Sequence, residues 1–287
     1  MSIYDIFKGG SKAFNKEEWA AEKQAERKGA YELADTTCDK IMKSGDLFQK
    51  YLEVQGRFDL YSVTNAVLVT AQMPEATQLK DYKNWKQNRV YLDKNAQKVM
   101  ILEPGKEYVR DDGTSAVSYN AKAVYDISQT TAKDRVNEVE PKSMRELVAA
   151  LIDVAPVSFE PTSDLETPAF YDKEQGTIFI KTGLQEEQLF VSMAKEVAAA
   201  IYDFKHGKSR EESEFKSFCV AYMVGSKYGL DNQGFNFENL TQEFDGMETQ
   251  AFKEELGSMR DVLKEVTSEM YKSMEKNKPE KTKEQER

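Results

Sequence analysis

The stretch Leu189-Phe-Val-Ser-Met-Ala-Lys-Glu-Val-Ala-Ala-Ala-Ile-Tyr-Asp203 constrains the fold more than any other part of the chain. Leu189, Met193, Val197 and Ile201 recur at i+4 steps and make the core face of a helix covering about residues 185–205. Ser192, Lys195, Glu196, Ala199 and Asp203 line a second face, where charge and small side chains sit together. That second face is where the ligands of a site would stand. Gly207, just past the end, is placed to cap the helix.

His206 is the only histidine in the 287 residues. It follows Lys205 at the helix end, where the helix dipole favours a cation, and no metal role is expected of it. A His-Glu-x-x-His zinc helix puts imidazoles at i and i+4 with a carboxylate beside the first. Here those positions hold Lys195, Glu196 and Ala199. A catalytic zinc needs three protein ligands, and an ammonium at Lys195 repels a dication. No cofactor and no catalysis are therefore expected. The plainer reading of Lys195 and Glu196 is a solvated face, since adjacent charges on a helix mostly mark wet surface.

The net charge of −10 hides an asymmetry. Residues 1–29 carry 6 basic and 5 acidic groups, residues 30–135 carry 15 of each, and residues 136–287 carry 19 and 30. The acidic second half argues against non-specific DNA binding there and leaves the first half open. No apolar run of about 18 residues exists, so no membrane span is expected. The stretch Met1 to Gly10 lacks the basic start and apolar core of a signal peptide. Cys38 and Cys219 are isolated thiols, which suits a reducing cytoplasm.

Along the chain, a Lys-, Glu- and Ala-rich helix over 12–28 is expected to break at Gly29, with more helix from Tyr31 to Val54. Tyr61 to Met73 is a short buried helix or strand ended by Pro74, and Asp81 can cap a turn or two of helix. Residues 98–110 and 116–127 are strand-like, with Asp112-Gly113 as the hairpin turn. Polar residues 128–142 form a linker. Ser143 and Glu146 make a capping box for a helix to Asp153. Short strands follow near Val157–Phe159, Ala169–Tyr171 and Thr177–Ile180, the last two a hairpin at Gln175-Gly176, and then helices over 185–205, 211–228 and 241–275.

The second half resembles the zincin-like peptidase domain attached to ArdC-type antirestriction proteins. The resemblance rests on Phe170-Tyr-Asp172, Thr177-Ile-Phe-Ile180, the two-faced helix, Val220-Ala-Tyr222 and Gly229-Leu-Asp231. It implies a third ligand, a glutamate, shortly before Val220-Ala-Tyr222, where this chain has Phe218. All three ligand positions (Lys195, Ala199, Phe218) thus depart from the pattern, and only the general-base position, Glu196, keeps its residue. A base without its metal has no activated water to use.

Residues 30–130 resemble the N-terminal domain of the same family, through Tyr61-Ser-Val-Thr-Asn65, Ala71-Gln-Met-Pro-Glu-Ala-Thr77, Trp85 and Tyr125-Asp-Ile-Ser-Gln-Thr130. The resemblance implies single-stranded DNA binding in support of a plasmid or conjugative element, with Tyr61, Ser62 and Asn65 carried over as motif residues. The family's Gly- and Lys-rich loop after the tryptophan is here Asn88 to Gln97, without glycine. The residues themselves permit binding. Lys80, Lys83, Lys86 and Arg89 fall at every third position with Tyr82 and Trp85 among them, and cations neutralise phosphates while exposed rings stack on bases. The alternatives are a solvated basic face with Trp85 packed inside, and capping or core polar roles for Tyr61, Ser62 and Asn65.

The final helix carries Phe252, Leu256, Met259, Leu263, Val266 and Met270 in alternating steps of four and three. Such a seam either lies on its own domain or docks a protein partner through residues 247–275. The expected architecture is α+β. A helical arm (1–29) precedes a mixed N-terminal domain of helices and a small antiparallel sheet (30–135). A degenerate zincin-like domain with a long final helix (143–275) and a disordered tail (276–287) follow.

Overall fold

A computed structural model describes residues 15–135, 142–230, 235–237 and 243–277. The fold is α+β and ends in a long helix. Asn15 opens α1 (Lys16–Ile41) by accepting from the backbone N–H groups of Glu17 and Glu18, and the helix runs through Gly29 without a break. A Cβ at Gly29 would meet nothing within 4 Å. The glycine therefore costs only its extra chain entropy, about 1 kcal/mol, while Ala34, Cys38 and Ile41 further along are buried. Ser44 caps α2 (Gly45–Arg57) and Ser62 caps α3 (Val63–Gln72), which stops before Pro74.

The first sheet is antiparallel, in the order β1 (Leu79–Lys80), β3 (Ser115–Asp126), β2 (Val99–Val109). Its long hairpin pairs Val99 with Val124 and Val109 with Ser115, with a bulge between Pro104 and Glu107. Gly113 takes the positive φ of the turn, 83°. Between β1 and β2 lies the short α4 (Tyr82–Gln87), capped by Asp81.

The Ser143–Glu146 capping box opens α5 (Met144–Val154). In the second sheet, β6 (Thr177–Lys181) lies between β4 (Ser158–Thr162), parallel to it, and β5 (Ala169–Asp172), its antiparallel hairpin partner. Three helices follow: α6 (Glu186–His206), α7 (Arg210–Lys227) and α8 (Thr249–Lys276). The last begins later than its pattern suggests.

The linker expected near residue 140 does not divide the hydrophobic interior. One cluster of buried side chains runs from Ala30, Phe48 and Leu68 to Leu151, Tyr222 and Leu263. Where α2 crosses α7, a Cβ on Gly56 would fall 2.6 Å from the Met223 carbonyl oxygen, so the two backbones touch as only glycine allows. Polar contacts reinforce this crossing. Tyr222 donates to Glu53 at 2.8 Å, and Asp59 accepts from Lys227 at 2.8 Å and from Thr267 at 2.7 Å. All six seam residues of α8 are buried in this same cluster, against the chain's own helices. The seam is therefore occupied internally. A separate small cluster packs Trp85, Val90, Ile127 and Ala132 under α4.

Among the described residues no helix is long and apolar enough to cross a membrane. The expected readings of residues 1–14, of Asp231 and of the tail beyond Asn277 lie outside the described residues.

Candidate functional site

Glu196 stands on α6 facing α7 and β5, and it is 2% exposed, so it belongs to no wet face. Its carboxylate is fully engaged. Oε2 accepts from the Tyr171 backbone N–H at 2.8 Å and from Arg210 Nη1 at 2.9 Å, and Oε1 accepts from Arg210 Nη2 at 3.1 Å. Arg210 is the first residue of α7. A second capping box, Ser209 with Glu212, fixes the start of that helix and aims the fork across at α6. The guanidinium also lies over the Phe170 ring at 4.7 Å. Burial alone would lower its pKa, but the hydrogen bonds and charge of Glu196, helped by Glu214 and Glu211, hold it above the ordinary arginine value.

Lys195 does not pair with its neighbour Glu196. It reaches Glu214 on α7, one turn past Arg210. Two charge pairs thus tie α6 to α7, and both were hidden from local sequence. Ala199 is 5% exposed and lines a cleft of about 260 Å³ together with Phe170, Lys173, Asp203, Lys208 and Arg210. Phe218 is not in that cleft. It lies two turns along α7 from Arg210, about 12 Å in helical rise, packed on Phe235 at 4.5 Å and bordering a hollow with Glu211, Glu214 and Phe215.

These residues do not fit a metal ion. Both oxygens of Glu196 are capped by a cation, Lys195 offers an ammonium, and Ala199 offers no donor. Among the described residues no three His, Cys, Asp or Glu side chains are grouped as metal ligands. The positive charge beside Glu196 is a guanidinium built into the chain.

Asp203 anchors the other end of the cleft. It accepts from the Tyr171 hydroxyl at 2.9 Å and pairs with Lys173. Burial would raise its pKa, but Lys173 and Tyr171 outweigh that and hold it below the usual carboxylate range. The same burial and carboxylate push Tyr171 up to about 12. A carboxyl with a lowered folded-state pKa stabilises the fold above its unfolded value of about 3.9, and that contribution fades as pH falls through the folded value. Asp203→Asn is accordingly expected to flatten the acid side of the stability curve below about pH 4. Denaturation midpoints of the two proteins across that range check this, and parallel curves refute it.

The second candidate surface is α4. Trp85, expected as a stacking ring, is 2% exposed and donates its indole N–H to the Tyr125 carbonyl at 2.9 Å. It cannot stack on a base. Lys80 rests its ammonium over the Trp85 ring, 4.7 Å from the centroid. Tyr82, Lys83, Lys86 and Arg89 are exposed, and none of the three cations forms an ion pair among the described residues. Tyr91 is a further outward ring, 56% exposed, that the sequence reading missed. Its signal was the alternation of Val90 and Leu92, which point into the small core on either side of it.

The carried-over motif residues work for the fold. Ser62 caps α3 by accepting from the Asn65 N–H. The Asn65 side chain bonds both the N–H and the carbonyl of Leu102, each at 2.8 Å, and so fixes α3 to β2. Tyr61 is half-buried against Phe58, with ring centroids 5.0 Å apart. The two thiols, Cys38 and Cys219, are buried, and burial pushes Cys38 up to about 11. His206 closes α6 beside Tyr202.

No protein-family model matches the chain, and no curated protein matches it. Among solved structures it is similar to the antirestriction protein ArdC from plasmid R388. The Mn(II)-bound crystal structure of ArdC aligns with a TM-score of 0.53 at 13% identity, over 86% of this chain and 99% of that one. The metal-free structure gives 0.49 at 13% identity, over 74% and 86%. The chain has an ArdC-like fold.

Proposed function

We propose that the protein grips single-stranded DNA and cuts nothing, as an antirestriction-type protein of a plasmid or conjugative element. One observation carries the choice of gripping over cutting: the Arg210 fork on Glu196. A general base must have a free lone pair facing its water or substrate. Here a backbone N–H and a guanidinium hold the carboxylate on both oxygens. A neighbour with this fold is an antirestriction protein crystallised with Mn(II), and in this chain the charge held against Glu196 is that of Arg210.

The choice of DNA is supported by the α4 surface within that fold. Lys83, Lys86 and Arg89 point into solvent without carboxylate partners among the described residues, and the Tyr82 ring on the same short helix is exposed as well. Free cations of this kind release counterions from a nucleic-acid backbone. Fluorescence anisotropy with a single-stranded oligonucleotide is the test. Binding is expected at about 50 mM salt, weakening steeply as salt rises. Exchanging Lys83, Lys86 and Arg89 together for alanine should reduce the slope of log K against log salt by about 2. An absence of binding at low salt would overturn the reading. The alternative of a scaffold holding a protein through residues 247–275 finds its apolar seam already covered by α5, α7 and α1.

A further inference from the structure

We infer that Arg89 and Tyr91 form the contact point of the α4 surface, Arg89 on a phosphate and the Tyr91 ring on the adjoining unpaired base. This inference rests on the proposal that the protein binds single-stranded DNA. The backbone carries it. Arg89 has φ 57° and is the one non-glycine residue with positive φ among those described. It closes α4 in a left-handed turn. The Arg89 N–H reaches the Lys86 carbonyl and the Val90 N–H reaches the Trp85 carbonyl, each at 3.0 Å, and Val90 packs with Trp85 beneath. This is the helix ending that normally takes glycine, because a Cβ crowds the left-handed conformation. The same chain follows that rule at α6, where Gly207 ends the helix at φ 59°.

The turn's own bonds hold Arg89 in place, but they ask for no side chain there. Its side chain is exposed and forms no ion pair among the described residues. A cation at a helix C-terminus is favourable, but Lys86 already supplies one in the last turn. A strained non-glycine residue, held in place by the turn around it, is characteristic of a contact made outside the fold. The turn also sets the next ring. With Val90 directed inward, Tyr91 faces outward, and its backbone is pinned by the N–H and hydroxyl of Thr131 at 2.9 and 3.1 Å. A fixed backbone, with an exposed ring two positions along the chain from an exposed guanidinium, suits one nucleotide step, with the phosphate on the cation and the base on the ring.

Two variants test this by anisotropy on an oligothymidylate, with thermal melting alongside. Arg89→Gly is expected to raise the melting temperature by about 2 °C or more, because glycine relieves the turn. It should at the same time weaken binding and reduce the salt slope by about 0.7, the share of one phosphate. Tyr91→Ala should weaken binding at least about 5-fold with the salt slope unchanged, and Tyr91→Phe should restore it, because stacking needs the ring and not the hydroxyl. A purely structural Arg89 would show the higher melting temperature and no loss of affinity. If the unaltered chain binds and both variants bind equally well, the inference fails and the DNA-binding proposal stands. If the unaltered chain does not bind, both fail.

Discussion

Arg210→Ala is expected to destabilise the protein by about 3 kcal/mol, read as a lower urea midpoint at neutral pH. Glu196 is 2% exposed, so its carboxylate cannot recover water when the guanidinium leaves. Removing one partner of a buried ion pair costs about 3–5 kcal/mol, most of it from the charge left behind. The lower end applies because the Arg210 side chain is itself 34% exposed and part of its pairing energy is screened. Glu196→Gln in the same background takes away the stranded charge and leaves an acceptor for the Tyr171 N–H, so the double variant should recover most of the loss. A single Arg210→Ala change within about 0.5 kcal/mol of the parent would mean that the guanidinium is not the counter-charge of Glu196.

Leu263→Ala should cost about 3 kcal/mol or more and leave the oligomeric state unchanged. Leu263 is fully buried in mid-seam on α8, between Met259 and Val266, and the methyl groups removed there leave a cavity in the core cluster that both halves of the chain share. A seam used for docking a partner would respond differently, with little loss of folding stability and a change in mass by light scattering. A stable assembly that dissociates in Leu263→Ala would reverse the assignment of α8 to the interior.

Elements set by short-range chemistry could be read from the sequence. The capping box at Ser143, the Asp81 cap, the Asp112-Gly113 turn and the Gly207 helix end all stand where their residue types require. The heptad steps of α8 identified its buried face but not what covers it. Gly29 misled because glycine weakens a helix without forbidding it, and α1 is held in place by its buried second half. The site was less legible. Lys195-Glu196 looks like an ordinary wet pair, and only the α6–α7 turn brings Arg210 and Glu214 opposite. Trp85 is claimed by a carbonyl 40 positions away, a partner no local pattern discloses. The polar stretch 128–142 suggested two domains because composition is local. The contact that joins them, Gly56 on Met223, spans most of the chain.

That joint gives the second half a part in the folding of the first. α7 and α8 supply the wall on which Phe48, Leu52 and Leu68 rest, and without it those side chains would lie open to solvent. The second half is thus foundation to the half that carries α4. Trimming the chain down to the half that carries α4 would undo that half itself.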